Sequence, residues 1–204
     1  MSYKRFSTGV CSFLLMGMMM SIMTAALYSQ EWTGWKGPNH DGKSTETGLL
    51  NSWPKEGPPL LWKCDSLGEG YSNLAFWKDM IFTEGDIKGE THLFILNRAD
   101  GKLLRKIQVG TGGDIGGYPG PRSTPCTDGE RVYTLNHFGI LTCIEIATGK
   151  IVWSKKYESD FEGAMMLSKI LKLHWGFSES PLLDGNRLIC SPGGKKGTFA
   201  ALTS

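Results

Sequence analysis

The sequence predicts an all-β chain, a β-propeller of four-stranded antiparallel blades, with two to three blades present. Three observations carry this. The chain has 27 glycines and 7 tryptophans in 204 residues, and glycine-rich turns with many aromatics suit sheets joined by tight turns. An Asp-Gly turn recurs in matching surroundings: residues 122–134 read RSTPCTDGERVYT and residues 178–190 read SESPLLDGNRLIC. The recurrence interval is regular, with Gly101 to Gly149 at 48 residues, Phe82 to Tyr133 at 51 and Tyr133 to Ile189 at 56; blade repeats run to about 40–50 residues. A two-sheet sandwich has similar turns but no need to repeat one turn chemistry in every unit.

Residues 1–29 read as an address. Lys4 and Arg5 precede an uncharged apolar stretch from Phe13 to Leu27, and small residues follow, with Ser29 just before a plausible cut. This is the order of a secretory signal peptide. Gly17, Ser21 and Thr24 interrupt the apolar run, which is shorter than the ~20 residues a spanning helix needs. Cys11 follows Val10 and lies too early for a lipid-anchor signal. A mature exported protein beginning near Gln30 is expected, periplasmic or secreted, and N-terminal sequencing that found Met1 or Ser2 on it would refute this.

The signal holds two bases and no acid. The 22 Lys+Arg and 20 Asp+Glu of the whole chain therefore become 20 of each. A neutral chain has no electrostatic footprint for nucleic acid or an anionic membrane. The about 175 residues that remain are enough for one substantial core.

Residues 30–62 form an N-terminal extension and residues 63–204 the partial propeller, with blades near 70–110, 120–157 and 178–204. Residues 71–83, YSNLAFWKDMIFT, are a worn copy of the hairpin start, with the turn at Trp77-Lys78-Asp79. An Asp-Gly turn between apolar runs signals a hairpin, and Pro125 and Pro181 sit near strand starts, where proline is tolerated. A second element follows each start: THLFILNRADGK at 91–102, GILTCIEIATGK at 139–150 and GTFAALTS at 197–204. In this alignment Leu93, Leu141 and Phe199 are equivalent, as are Ile95, Cys143 and Ala201. Their alternation with more polar neighbours is the period of a strand. The two Gly-Lys turns lead into final strands, Leu103 to Val109 and Ile151 to Lys155. Leu141, Cys143, Val132 and Trp153 are expected to be buried together. The insert 158–177 carries Phe161, Met165, Leu167, Ile170 and Leu171 and is expected to form a short surface helix over 159–174. Cys64, Cys126, Cys143 and Cys190 allow two readings, buried free thiols or one disulfide, since an exported location permits bridges. No pair has the spacing of a zinc site.

Several blocks together carry a family resemblance. Trp32-Thr33-Gly34-Trp35-Lys36-Gly37-Pro38-Asn39-His40-Asp41-Gly42, Trp53-Pro54, Leu67-Gly68-Glu69-Gly70-Tyr71-Ser72, Tyr118 to Pro125, Ala147-Thr148-Gly149-Lys150-Ile151-Val152-Trp153, and Trp175-Gly176 with Ser178-Glu179-Ser180-Pro181 resemble secreted PQQ-binding-like (pyrrolo-quinoline quinone repeat) β-propeller proteins. The resemblance covers residues 32–204. It implies an eight-bladed ring with tryptophans docking between blades. Trp153 matches the docking position; Arg105 or Lys106 stands there in the first blade, so one docking contact is expected to be missing. The chain stops before such a ring closes, and self-association through an open blade face is expected.

In a propeller the innermost strands line the axial channel. The starts at Tyr71-Ser72, Arg122-Ser123 and Ser178-Glu179 should ring one mouth of it. Two readings stand. One is a polar ligand site of Tyr71, Arg122 and Glu179 flanked by Tyr118, Trp175 and Lys195, where Arg122 offers a planar fork for a carboxylate or phosphate. The other is an Arg122–Glu179 ion pair that ties two blades together. Other motifs fail. Gly110-Thr111-Gly112-Gly113-Asp114-Ile115 has isoleucine where a dinucleotide loop needs glycine. Gly176-Phe177-Ser178-Glu179-Ser180 ends in serine and is no nucleophile elbow. His40, His92, His137 and His174 are scattered singly.

The sequence thus supports an exported binding or scaffold module whose partner is a small molecule or a protein at the channel. The alternative is a fragment of a PQQ-dependent oxidoreductase acting on alcohols or a hydroxylated polymer such as polyvinyl alcohol. That reading lacks a Cys-Cys pair and a recognisable catalytic acid here. A role in outer-membrane protein assembly is implied by one lipoprotein with this fold, against the missing lipid-anchor signal. PQQ is the one cofactor the resemblance brings, and tight binding of it by this chain alone is not expected.

Overall fold

The computed structural model describes residues 31–165, 175–195 and 197–204. The signal segment and most of the expected insert helix lie outside them. Strands β1 (Ala75–Trp77), β2 (Met80–Ile87), β3 (Glu90–Asn97) and β4 (Leu103–Thr111) form the first blade as an antiparallel sheet in sequential order. A small hairpin follows, β5 (Asp114–Ile115) with β6 (Tyr118–Pro119). Strands β7 (Cys126–Thr127), β8 (Arg131–Leu135), β9 (Ile140–Glu145) and β10 (Ile151–Lys156) form the second blade. One turn of helix, α1 (Tyr157–Asp160), overlaps only the start of the insert helix expected over 159–174, and the described residues 161–165 after it are not helical. Strands β11 (Leu182–Asp184), β12 (Arg187–Cys190) and β13 (Ala200–Thr203) begin the third blade. The architecture is an open arc of propeller blades.

The repeat sets how the blades join. Ser72 donates its hydroxyl to the Ser123 carbonyl at 2.7 Å, and Ser123 donates its own to the Glu179 carbonyl at 2.5 Å. The same rung therefore crosses both seams, between residues that the alignment makes equivalent. Two cores fill the seams. Ala75, Phe82, Leu93, Ile95, Val132 and Ile144 pack between blades one and two. Tyr133, Leu141, Cys143, Tyr157, Phe177 and Leu188 pack between blades two and three.

Two expectations are corrected. Val132 is buried, but on the opposite face of its blade from Leu141 and Cys143, against which Trp153 packs. The missing docking contact is supplied another way. Arg105, paired with Ile95 as Trp153 is with Cys143, donates a guanidinium hydrogen bond to the Ala147 carbonyl of the next blade. A narrower side chain in the tryptophan position leaves a cleft of about 730 Å³, lined by Met80, Ile95, Leu104, Arg105, Glu130 and Glu145.

The extension behaves as a strap. Trp32 bridges Phe76 of β1, and the Thr33 carbonyl accepts the Thr127 N–H of the second blade. Trp62 packs on the outer face of the first blade with Ile81, Phe94 and Leu96 and donates its indole N–H to the Arg98 carbonyl at 3.2 Å. At the other end of the arc Phe199, the third-blade counterpart of Leu93 and Leu141, is 70% exposed.

Cys64, Cys126, Cys143 and Cys190 are free thiols, and the last three are buried. Burial pushes the thiol of Cys143 up to about 11 and those of Cys126 and Cys190 upward as well. A thiol held protonated is a poor nucleophile. Alkylation of the native protein at pH 8 is therefore expected to label half-buried Cys64 first and to reach the other three only on unfolding. Mass spectrometry of the labelled peptides reads this directly, and rapid native labelling of Cys126 or Cys143 would contradict the packing.

Candidate functional site

The starts of the innermost strands lie at the end of the blades opposite the strap. Three aromatic side chains line up there. Tyr71 and Tyr118 meet edge to face with ring centroids 6.1 Å apart, and Tyr118 lies against Trp175 at 5.3 Å with 33° between planes. All three are about half exposed: Tyr71 59%, Tyr118 45% and Trp175 47%. They come from three places in the chain, the run into β1, the β5–β6 hairpin and the run into the third blade. Tyr71 is fixed by its N–H, which the Pro121 carbonyl accepts at 2.7 Å.

Arg122 supports this row from beneath. One guanidinium nitrogen donates to the carbonyls of Ile115 at 3.1 Å and Tyr118 at 2.6 Å. The other, Nη1, is buried without a partner. Burial pulls the guanidinium below its ordinary value, with Tyr71, Asp114 and Asp86 opposing that shift. Its hydrogen bonds go to the hairpin backbone, so Arg122 holds the hairpin in shape. The expected Arg122–Glu179 pair does not form. Glu179 turns its carboxyl toward the Tyr157 hydroxyl, one oxygen is buried without a partner, and burial raises its pKa. The two sit at neighbouring positions of the repeat, and successive side chains leave a strand on opposite faces. Lys195 is exposed on the loop between β12 and β13, and no hydrogen bond or ion pair among the described residues joins it to the row.

Sequence reasoning missed a buried polar group behind the hairpin. Asp86 accepts the Gly113 N–H at 2.6 Å and the Thr91 hydroxyl at 2.7 Å. His137 meets the Gly113 carbonyl through Nε2 at 2.8 Å, and burial holds its pKa below the ordinary histidine value. Asn136 donates to the Thr111 carbonyl at 2.8 Å and accepts the N–H groups of Phe138 and Ile140 at 3.1 and 2.9 Å, closing the β8–β9 turn. Glu84, between Phe82 and Asp86 on the same face of β2, has both carboxyl oxygens buried and unpartnered. The desolvation of burial and then the Asp86 charge push it up to about 8. The signal was present in the strand period: acids at 84 and 86 alternate with Phe82 on a core-facing side.

The comparisons with known proteins bear on this arrangement. Residues 60–204 match the PQQ-type repeat family described as outer membrane protein assembly factor BamB. The chain belongs to this family. No curated protein sequence matches it. Among solved structures, this PQQ-repeat chain is similar to the quinohemoprotein alcohol dehydrogenase ADHIIG from Pseudomonas putida HK5, at 16% identity and TM-score 0.45, over 64% of this chain and 18% of that one. It is similar to BamB from Moraxella catarrhalis at 11% identity and TM-score 0.25, over 70% of this chain and 61% of that one. A computationally designed protein, Ika4, matches at 15% identity and TM-score 0.39, over 72% and 98%. The chain thus spans less than a fifth of the dehydrogenase. Among the described residues, no helix is long and apolar enough to cross a membrane, and no group of three His, Cys, Asp or Glu stands together as metal ligands.

PQQ is a flat, carboxylate-bearing molecule. The aromatic row offers it a face. Arg122 has turned its donors to carbonyls and buried the remainder, so it supplies no carboxylate fork. Among the described residues, this row therefore offers a stacking face without a carboxylate fork beside it.

Proposed function

We propose that this PQQ-repeat chain is an exported binding module, and that the exposed row Tyr71–Tyr118–Trp175 at the mouth of the arc is its contact surface. The observation that carries this is the Tyr118–Trp175 pair, two aromatic faces 5.3 Å apart, half open to solvent and backed by a hydrogen-bonded hairpin. Rigid aromatic side chains with a polar tip give large contact area at low entropic cost, and the row suits a flat, polar ligand or ring-bearing partner. The signal-like residues 1–29 support export. The exposed indole of Trp175 also favours a second reading, the N-terminal part of a PQQ-dependent oxidoreductase, because an indole face is where a flat cofactor would stack.

Titration of the protein with PQQ, with and without calcium, and followed by tryptophan emission, separates these. A binding module is expected to show weak quenching, with Kd above roughly 10⁻⁴ M, that Trp175→Ala removes. Saturable, calcium-dependent micromolar binding lost in Trp175→Ala would replace this reading with the oxidoreductase. Quenching that Trp175→Ala leaves unchanged would mean that the row is no ligand surface.

A further inference from the structure

We infer that Asp86 and His137 are positioning residues for the aromatic row, and that together they lock Tyr118 and Trp175 in register across the seam between the first two blades. The inference rests on reading that row as the contact surface. Tyr118 is on the β5–β6 hairpin, and Gly113 is the hairpin's base. Gly113 is held on both sides of its Cα: its N–H by Asp86 of β2 and its carbonyl by His137 of the β8–β9 turn. A carbonyl only accepts, so His137 carries its proton on Nε2. The His137 and Asp86 side chains are 0% and 5% exposed, and their facing atoms are 3.8 Å apart. One belongs to the first blade and one to the second, so Gly113 is held where the two blades meet.

His137 also fixes the other half of the pair. Its backbone carbonyl accepts the Phe177 N–H at 2.9 Å. That bond seats the segment Trp175-Gly176-Phe177 on the β8–β9 turn. Gly176 has φ 70°, and a Cβ there would stand 2.6 Å from the His137 carbonyl and 3.0 Å from Arg122 Nη1. A side chain at 176 would force the segment off the turn and take Trp175 with it. One residue therefore reaches Tyr118 through its imidazole and Trp175 through its carbonyl. Arg122 braces the hairpin from the other side through Ile115 and Tyr118.

The test compares His137→Leu, which removes the imidazole donor, with His137→Gln, whose side-chain amide offers an N–H to the same carbonyl. Hydrogen exchange of residues 110–121 is read against that of β3 and β9, together with ring-proton contacts between Tyr118 and Trp175 by NMR. His137→Leu is expected to speed exchange in the hairpin roughly tenfold or more, with β3 and β9 unchanged, and to abolish the Tyr118–Trp175 contact. His137→Gln should restore both. If His137→Leu does not fold, Asp86→Asn, which can accept from Thr91 or Gly113 but not both, should give the same pattern at smaller amplitude. An unchanged hairpin and an intact ring contact in His137→Leu, or in Asp86→Asn where it replaces it, would overturn the inference. So would uniform acceleration through both blades, which marks a general loss of stability. These readouts need no ligand. A wild-type protein that ignores PQQ would sink the binding-module reading and leave the lock to be judged by exchange and ring contacts alone. Where wild type does bind PQQ, the quenching should weaken in His137→Leu and return in His137→Gln.

Discussion

Replacing Glu84 with glutamine is expected to stabilise the protein at neutral pH and to change little near pH 4. The carboxyl lies between the first and second blades with both oxygens buried and unpartnered. Desolvation, and after it the Asp86 charge, raise it from 4.5 to about 8, and the Leu135 backbone and Thr134 hydroxyl offset this only in part. The sign follows from linkage. Below pH 4.5 the group is protonated in both folded and unfolded chains and contributes no pH dependence. Between 4.5 and 8 the unfolded chain releases a proton that the folded chain keeps, so stability falls as pH rises, and the loss is complete above about 8. One pKa unit corresponds to ~1.4 kcal/mol, which makes the effect on the order of 3 kcal/mol at pH 7. Glutamine is neutral throughout and fills nearly the same volume. Urea unfolding of both proteins from pH 4 to pH 8 should therefore give curves that coincide at the acid end and diverge steadily, the variant being the more stable. Parallel curves would mean that Glu84 is hydrated or paired in solution.

Glu84 also shows where the sequence was legible. Turn chemistry is local, so the Asp-Gly and Gly-Lys turns marked the hairpins, and strand ends fell within a few residues of expectation, as at Ile151–Lys156. Strand phase was harder. A blade strand between two neighbours is buried on both faces, and Val132 and Tyr133 are each 0% exposed; alternation then no longer tells one side from the other. Repeat equivalence placed Arg122 and Glu179 at one end of the arc but says nothing about side-chain direction, and the two diverge. The Asp86–Gly113–His137 lock joins residues from two blades and an intervening loop. A histidine with no ligand spacing in sequence gained its partners only when the blades met.

The repeat makes its strongest claim on packing, through equivalent positions that should behave differently. Leu141→Ala is expected to destabilise the protein by about 2–5 kcal/mol, as removal of a buried leucine side chain does. Leu141 is 0% exposed and packs with Tyr133, Cys143, Tyr157, Phe177 and Leu188 between the second and third blades. Leu93, its counterpart one blade earlier, is also 0% exposed, in the seam between the first and second blades, and Leu93→Ala should cost a similar amount. Phe199 holds the same place in the third blade, yet it is 70% exposed. Phe199→Ala removes a larger side chain and should still change stability by less than about 0.5 kcal/mol, because little of it leaves water on folding. Denaturant unfolding of the three variants at one protein concentration makes the comparison. A loss below about 0.5 kcal/mol for Leu141→Ala would put the strand phase wrong. A loss at Phe199 matching that at Leu141 would mean that the third blade's face is covered in solution, and sedimentation of the wild-type protein would then show whether a second copy covers it.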